Sequence, residues 1–213
     1  MLPAKGLVMN DLDFAALLVS RVCHDLVSPL GAVVNGLEVL EEETDAAMRA
    51  DALRLVAASA EQATARLKFV RIAFGAAGSV GAELDLTEVA RIVAGLLNGG
   101  KVELVWEAEP VNWPKDWAKL LMNTVLAAAD CLPRGGRVTV ETAKSPASPS
   151  FHITATGSVV RLLPESEAAL SGERAAIVDG RSIQSYLTYQ LAKNLNAALS
   201  ITATAGEVRF SAG

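Results

Sequence analysis

Residues 13–43 read DFAALLVSRVCHDLVSPLGAVVNGLEVLEEE, and the recurrence of their apolar positions decides the N-terminal fold. Ala16, Val19, Cys23, Leu26, Leu30, Val33, Leu37 and Leu40 advance by alternating three and four residues, the a/d stripe of a helix packed in a bundle. Asp11 or Asp13 can cap its start. After Glu43–Asp45 a second stripe, Leu53, Val56, Ala60, Ala63, Leu67, Val70 and Phe74, keeps the same rhythm until Gly75 and Gly78 stop it. Two such helices joined by a short turn form a hairpin, which buries its stripe on one side only. Two hairpins related by a two-fold axis would close a four-helix bundle, so the pattern predicts a homodimer.

The 213 residues suffice for one or two small domains. Its 19 Lys+Arg against 24 Asp+Glu leave a net charge of −5, which argues against nucleic acid as a ligand. Hydrophobic residues make up 51% of the chain but aromatics 5%, so the apolar content is the Ala, Leu and Val of packed helices. Mean hydropathy is high at +0.32, yet Arg21, His24 and Asp25 interrupt the most apolar early helix. No uninterrupted run then reaches the roughly 18 residues of a membrane span, and no membrane partner is expected. The two cysteines, Cys23 and Cys131, sit in apolar helical patterns and read as small core residues. With no cleavable signal over Met1–Asn10, the expected compartment is the reducing cytoplasm.

Gly75–Gly81 reads as a linker, dividing the chain into a helical hairpin, 1–78, and a second domain, 79–213. In the second domain the spacing predicts helices at Thr87–Leu97, Lys115–Cys131 and Ser182–Ala197. Strands are predicted at Val102–Glu107, Arg137–Thr142, Phe151–Thr156, Leu199–Thr204 and Glu207–Ser211, with Gly135-Gly136 and Ala205-Gly206 as turns. Helices interleaved with hairpin-linked strands make an α/β sandwich whose sheet has one helix-covered face.

One residue of the hairpin can carry chemistry. With Cys23 at heptad position a and Leu26 at d, His24 falls at b and projects toward solvent. A neutral exposed imidazole is a competent nucleophile for phosphoryl groups, and Asp25 beside it can accept the ring N–H and fix the tautomer. A bare His-Asp dipeptide is otherwise solvated decoration of a helix. Pro29 lacks an amide hydrogen and leaves the Asp25 carbonyl without its helical donor, a local cost that marks a site. Val27, Gly31 and Val34, three, seven and ten residues on, place a shallow apolar patch on the same side, with Ser28 beside it, where a partner can dock.

The run Cys23-His24-Asp25-Leu26-Val27-Ser28-Pro29-Leu30 resembles the H-box of two-component histidine kinases, in which His, an acid, a small hydroxyl residue and Pro-Leu recur. In those kinases the bundle precedes a GHKL (Bergerat) ATP-binding sandwich, and the order of elements after Thr87 is similar. The resemblance implies a degenerate version here. Where the kinases place an Mg²⁺-binding Asn this chain has Ala127, and where an Asp reads adenine it has Ala155. Arg181-Ser182-Ile183-Gln184-Ser185 stands in place of a Gly-rich turn. No cofactor is therefore expected, no autokinase activity either, and Mg²⁺ only on a partner. A phosphoacceptor bundle joined to such a domain, together with Arg21–Leu40 and Ala73-Phe74-Gly75-Ala76-Ala77-Gly78, resembles the ChpT-type histidine phosphotransferases of alphaproteobacteria.

That resemblance implies a homodimeric phosphotransfer intermediate. It would take phosphate from the receiver domain of a CckA-like hybrid kinase onto His24 and pass it to CtrA-like and CpdR-like response regulators. Two alternatives belong to other classes: a non-catalytic kinase-like adaptor, and a receiver phosphatase in which Ser28 orients water. His152 alternates with Thr154 and Thr156 on a strand and is given no role. Trp106, Trp113 and Trp117 read as core or interdomain packing.

Overall fold

The structure is a computed structural model that describes residues 10–75, 82–173 and 180–213. Two long helices, α1 (Asp11–Glu42) and α2 (Ala46–Ala73), come first. They are followed by β1 (Glu83–Asp85), α3 (Leu86–Leu97), β2 (Val102–Glu107), β3 (Asn112–Pro114), α4 (Lys115–Asp130), β4 (Gly136–Thr142) and β5 (Phe151–Thr156). Then come α5 (Pro164–Leu170), α6 (Gly180–Leu195), β6 (Ser200–Thr204) and β7 (Glu207–Ala212). Most of the linker read at Gly75–Gly81, the boundary at 78/79 and nearly all of the N-terminal segment read for a signal lie outside the described residues.

α1 opens on a capping box. Asn10 Oδ1 accepts the Asp13 amide at 2.9 Å, and Asp13 Oδ2 accepts the Asn10 amide at 3.3 Å. The cap is thus Asn10, one residue ahead of Asp11 and three ahead of Asp13, the two aspartates expected to serve, and Asp13 is its reciprocal partner. α2 starts on Asp45, whose carboxylate accepts the amides of Ala47 at 2.9 Å and Met48 at 3.0 Å.

The seam between the two helices is built from small residues. Pro29 and Gly36 are buried on α1, and Ala52, Ser59 and Ala63 on α2, while Phe69 and Ala73 near the end of α2 are buried in the core beneath the sheet domain. A Cβ on Gly36 would lie 2.6 Å from Val56 Cγ2 and 3.4 Å from the Ala52 carbonyl oxygen, so the backbones close in there as glycine permits. The larger members of the stripes face elsewhere: Val19, Leu30, Leu37, Leu53 and Leu67 stay 48–62% exposed. Cys23, expected in the core, is exposed as well. One hairpin has one inner seam, and an apolar stripe wide enough for a bundle leaves part of itself outside it. α1 also proves long and apolar enough by length and composition to cross a membrane, against the expectation that Arg21, His24 and Asp25 prevent it. Its midpoint is nevertheless committed to contacts with α2 and α6.

Beyond the hairpin, a five-stranded sheet runs in the order β2-β4-β5-β7-β6. β2 pairs parallel with β4 and the remaining pairs are antiparallel. Alternation brings Val138, Ala155 and Val208 into one cross-strand row and Val140, Ile153 and Phe210 into the next, all buried under α4. Gly135 and Gly136 turn α4 into β4 at φ +84° and +152°, where a Cβ would strike the Lys101 or Thr156 carbonyl oxygen at 2.3 or 2.2 Å. The expected sandwich with one helix-covered face is observed. Two unpredicted pieces complete it, α5 and a two-stranded antiparallel pairing of β1 with β3.

α6 starts two residues ahead of the helix expected from Ser182, so Arg181–Ser185, which stands in place of a Gly-rich turn, is its first part, and Ser182, Ile183, Gln184 and Ser185 are buried in it. Gln184 Nε2 donates to Asn123 Oδ1 on α4. Asn123 Nδ2 in turn donates to the carbonyl of Ala73 at the end of α2, at 3.1 Å. This buried chain of amides ties hairpin, α4 and α6 together and holds α6 beside the middle of α1.

Candidate functional site

His24 stands on the outer flank of α1 with 88% of its side chain exposed, as the heptad position requires. Its Nδ1 lies 3.6 Å from Asp25 Oδ1, just beyond hydrogen-bond length, a separation that a few tenths of an ångström of ring motion would close. The other carboxylate oxygen, Oδ2, accepts Arg21 Nε at 2.8 Å. Arg21 reaches further, donating from Nη1 to the Gly180 carbonyl on α6 at 3.1 Å. The Asp25 carbonyl, deprived of a helical donor by Pro29, accepts Arg66 Nη1 from α2 at 2.8 Å. Asp25 is therefore gripped at both ends, carboxylate by Arg21 and carbonyl by Arg66.

A cleft of about 430 Å³ opens over this cluster between α1 and α6, lined by Leu17, Arg21, His24 and Asp25 on one wall and Gly180 and Arg181 on the other. Down the same flank of α1, Val27 and Val34 are 68% and 53% exposed, and Ser28 and Gly31 are exposed too. A Cβ on Gly31 would meet nothing within 4 Å. The predicted acceptor, its acid and the docking patch thus share one accessible side. Arg21 and Arg66 escaped the sequence reading. The i,i+4 spacing of Arg21 to Asp25 was a usable signal; Arg66 is brought in by the tertiary fold alone.

Burial first, and the Asp130 charge second, push the Cys131 thiol up to about 12, so it stays protonated and inert at neutral pH. His152 is exposed on β5 with Nδ1 2.8 Å from Ser211 Oγ. Trp113 is fully buried and packs edge-to-face on Trp117 at 6.3 Å. Ala155 is buried in the sheet, and Ala127 is buried on α4. Beside Ala127, between Cys131, Leu163 and Ser185, there remains a cavity of about 10 Å³, room for one water.

Comparison with known proteins identifies the family of the chain. Residues 86–207 match the family model described as histidine phosphotransferase C-terminal domain. Over 205 residues the chain is 41% identical to the protein phosphotransferase ChpT of Brucella abortus (strain 2308), covering 96% of this chain and 97% of that protein. A solved structure, described as the 1.7 Angstrom structure of a bacterial phosphotransferase, matches with a TM-score of 0.84 and 39% identity, covering 98% of this chain and 99% of that one. The fold is that of a phosphorelay histidine phosphotransferase. Within that class the chain belongs to the ChpT-type family. Transfer, rather than the adaptor or phosphatase alternative, is the activity of the class.

Proposed function

We propose that His24 carries the phosphoryl group. The neutral imidazole, its proton held on Nδ1 toward Asp25, attacks with Nε2 the phosphorus of an aspartyl phosphate on a receiver domain; the P–N bond forms as the aspartyl P–O bond breaks. The reverse step on a second receiver returns the group to an aspartate, with Mg²⁺ supplied by the receivers. The observation that carries this reading is the 88% exposed His24 ring set against a clamped Asp25. Its test is incubation with a receiver carrying radiolabelled aspartyl phosphate. Acid-labile, base-stable label should appear on this protein, and its absence at a receiver concentration that saturates binding would sink the assignment.

The donor is proposed to be a CckA-like hybrid-kinase receiver and the acceptors CtrA-like and CpdR-like regulators, all in the cytoplasm. Such a receiver must place its acid loops over His24 within about 3–3.5 Å while a helix packs lower on α1. Val27, Gly31 and Val34 supply that lower contact. Because a Gly31 Cβ meets open space, Gly31→Leu should leave the melting temperature unchanged or raise it. Transfer from the receiver should nonetheless fall at least tenfold, about 1.4 kcal/mol of docking. Transfer at the parent rate would move the docking surface off α1.

The reading also has the second domain, 79–213, act without nucleotide, as a degenerate relative of GHKL ATPases. Ala127 and Ala155 offer neither a metal contact nor an adenine acceptor, and the space beside Ala127 admits one water. The residues present do not fit a nucleoside triphosphate. Mg·ATP should accordingly give no thermal shift and no autophosphorylation. A dissociation constant tighter than about 100 μM, about 5.5 kcal/mol of binding, would overturn this point.

A further inference from the structure

A phosphoacceptor has to be aimed as well as exposed, and the geometry around Asp25 supplies the means. We infer that Arg21 is a positioning residue for phosphotransfer, holding the Asp25 carboxylate against the His24 ring from a mooring on α6, so that the seat of the second domain sets the reactivity of His24. The inference rests on His24 being the phosphoacceptor.

An ordinary i,i+4 ion pair on an exposed helix face contributes little, because both side chains are long, solvated and free to part. Arg21 differs in two respects. Its side chain is only 14% exposed, and its guanidinium spans two elements, Nε on Asp25 Oδ2 at 2.8 Å and Nη1 on the Gly180 carbonyl at 3.1 Å. The terminal torsion of an aspartate is soft when the carboxylate has no partner. Here one oxygen is taken by Arg21, which leaves Oδ1 turned toward His24 Nδ1. Arg66 fixes the other end of the same residue through its carbonyl at 2.8 Å. A proton retained on Nδ1 is what frees the Nε2 lone pair for attack, so orientation of Oδ1 bears directly on nucleophilicity.

The mooring itself can be displaced without altering Asp25 or His24. A Cβ on Gly180 would lie 2.9 Å from Arg21 Cδ, with Arg21 Cβ and Cγ at 3.5 and 3.6 Å, so the arginine stem passes directly over this glycine. A methyl group at 180 must push the stem aside, and the flexible side chain yields before the backbone does.

The experiment uses the full-length, ¹⁵N-labelled protein and reads two quantities: the rate of transfer from a phosphorylated receiver, and the ring-nitrogen shifts of His24, which report whether Nδ1 or Nε2 holds the proton. In the parent the Nδ1–H tautomer should predominate. In Arg21→Met the tautomers should mix and transfer should slow by about tenfold. Arg21→Lys, which keeps the charge beside Asp25 but loses the two-pronged reach to the Gly180 carbonyl, should recover both readouts only in part, leaving the rate about threefold below the parent. Gly180→Ala should move both in the same direction as Arg21→Met. Parent tautomer and rate in Arg21→Met, or in Gly180→Ala, overturn the inference. Should Arg21→Met fail to fold, Gly180→Ala still decides it. His24→Ala, run in parallel, separates the two levels: label retained on that variant defeats the phosphoacceptor assignment itself, whereas a dead His24→Ala beside parent-like Arg21→Met and Gly180→Ala defeats only the role of Arg21.

Discussion

His24→Ala is expected to leave the melting temperature and helical spectrum of the protein unchanged while lowering its uptake of phosphate from a receiver by at least about 10³-fold. The ring is 88% exposed, so its removal creates no cavity and strips no buried partner. What it removes is the nucleophile, for which an alanine methyl offers no lone pair. The chain holds two histidines, and the other, His152, lies on the sheet against Ser211 rather than on the hairpin. Label that persists undiminished in His24→Ala would point to it. Asp25→Asn should slow uptake without abolishing it, because Asp25 orients the ring whereas the P–N bond is formed by His24 alone. The measurement is the initial rate of acid-labile, base-stable labelling at fixed receiver concentration, for parent and both variants side by side.

How much of this was legible beforehand depends on the length scale of each signal. β4, β5 and β7 were read to within a residue because alternation over six or seven positions has one solution, Val138 and Val140 facing in beside Phe151, Ile153, Val208 and Phe210. β1 and β3 were not read, since three residues cannot display a period of two. α5 was missed although Pro164 at its first turn was a start signal; seven residues give too few turns for a stripe. At the site, the His24, Asp25 and Pro29 arrangement was visible as local chemistry, including the carbonyl that Pro29 orphans. Its resolution was not, because the donor, Arg66, comes from another helix 41 residues away. The same limit separated the stripe from the seam. Heptad counting treats Gly36, Ala52 and Ser59 as bystanders and Leu30, Leu37 and Leu67 as core. The folded hairpin does the reverse, since small residues let helices approach and large ones need a surface that a single hairpin lacks.

That inversion makes the assembly testable. Pro29, Gly36, Ala52, Ser59 and Ala63 bury little apolar area along the seam, whereas each half-exposed Leu30, Leu37, Leu53 and Leu67 offers part of the about 1.5–3 kcal/mol of a fully buried leucine. Spacings of seven and fourteen residues keep each pair on one side of its helix, a continuous apolar band that a second copy of the hairpin would cover. Light scattering at micromolar concentration should therefore give twice the mass of the chain. Leu37→Asp places a carboxylate in that band from both chains at once, and should weaken association by at least about 10³-fold, about 4 kcal/mol, leaving monomer in the micromolar range. The hairpin, losing the surface that holds its leucines, should lose far-ultraviolet helical signal with it. The core around Trp113, Leu120, Phe151 and Phe210 takes in Phe69 and Ala73 of α2, so unfolding of the hairpin should also lower the near-ultraviolet signal of the three tryptophans, all of which lie beyond the hairpin. A monomeric parent would remove the four-helix bundle from the account. A Leu37→Asp protein that remains dimeric would move the interface off this band and onto the second domain.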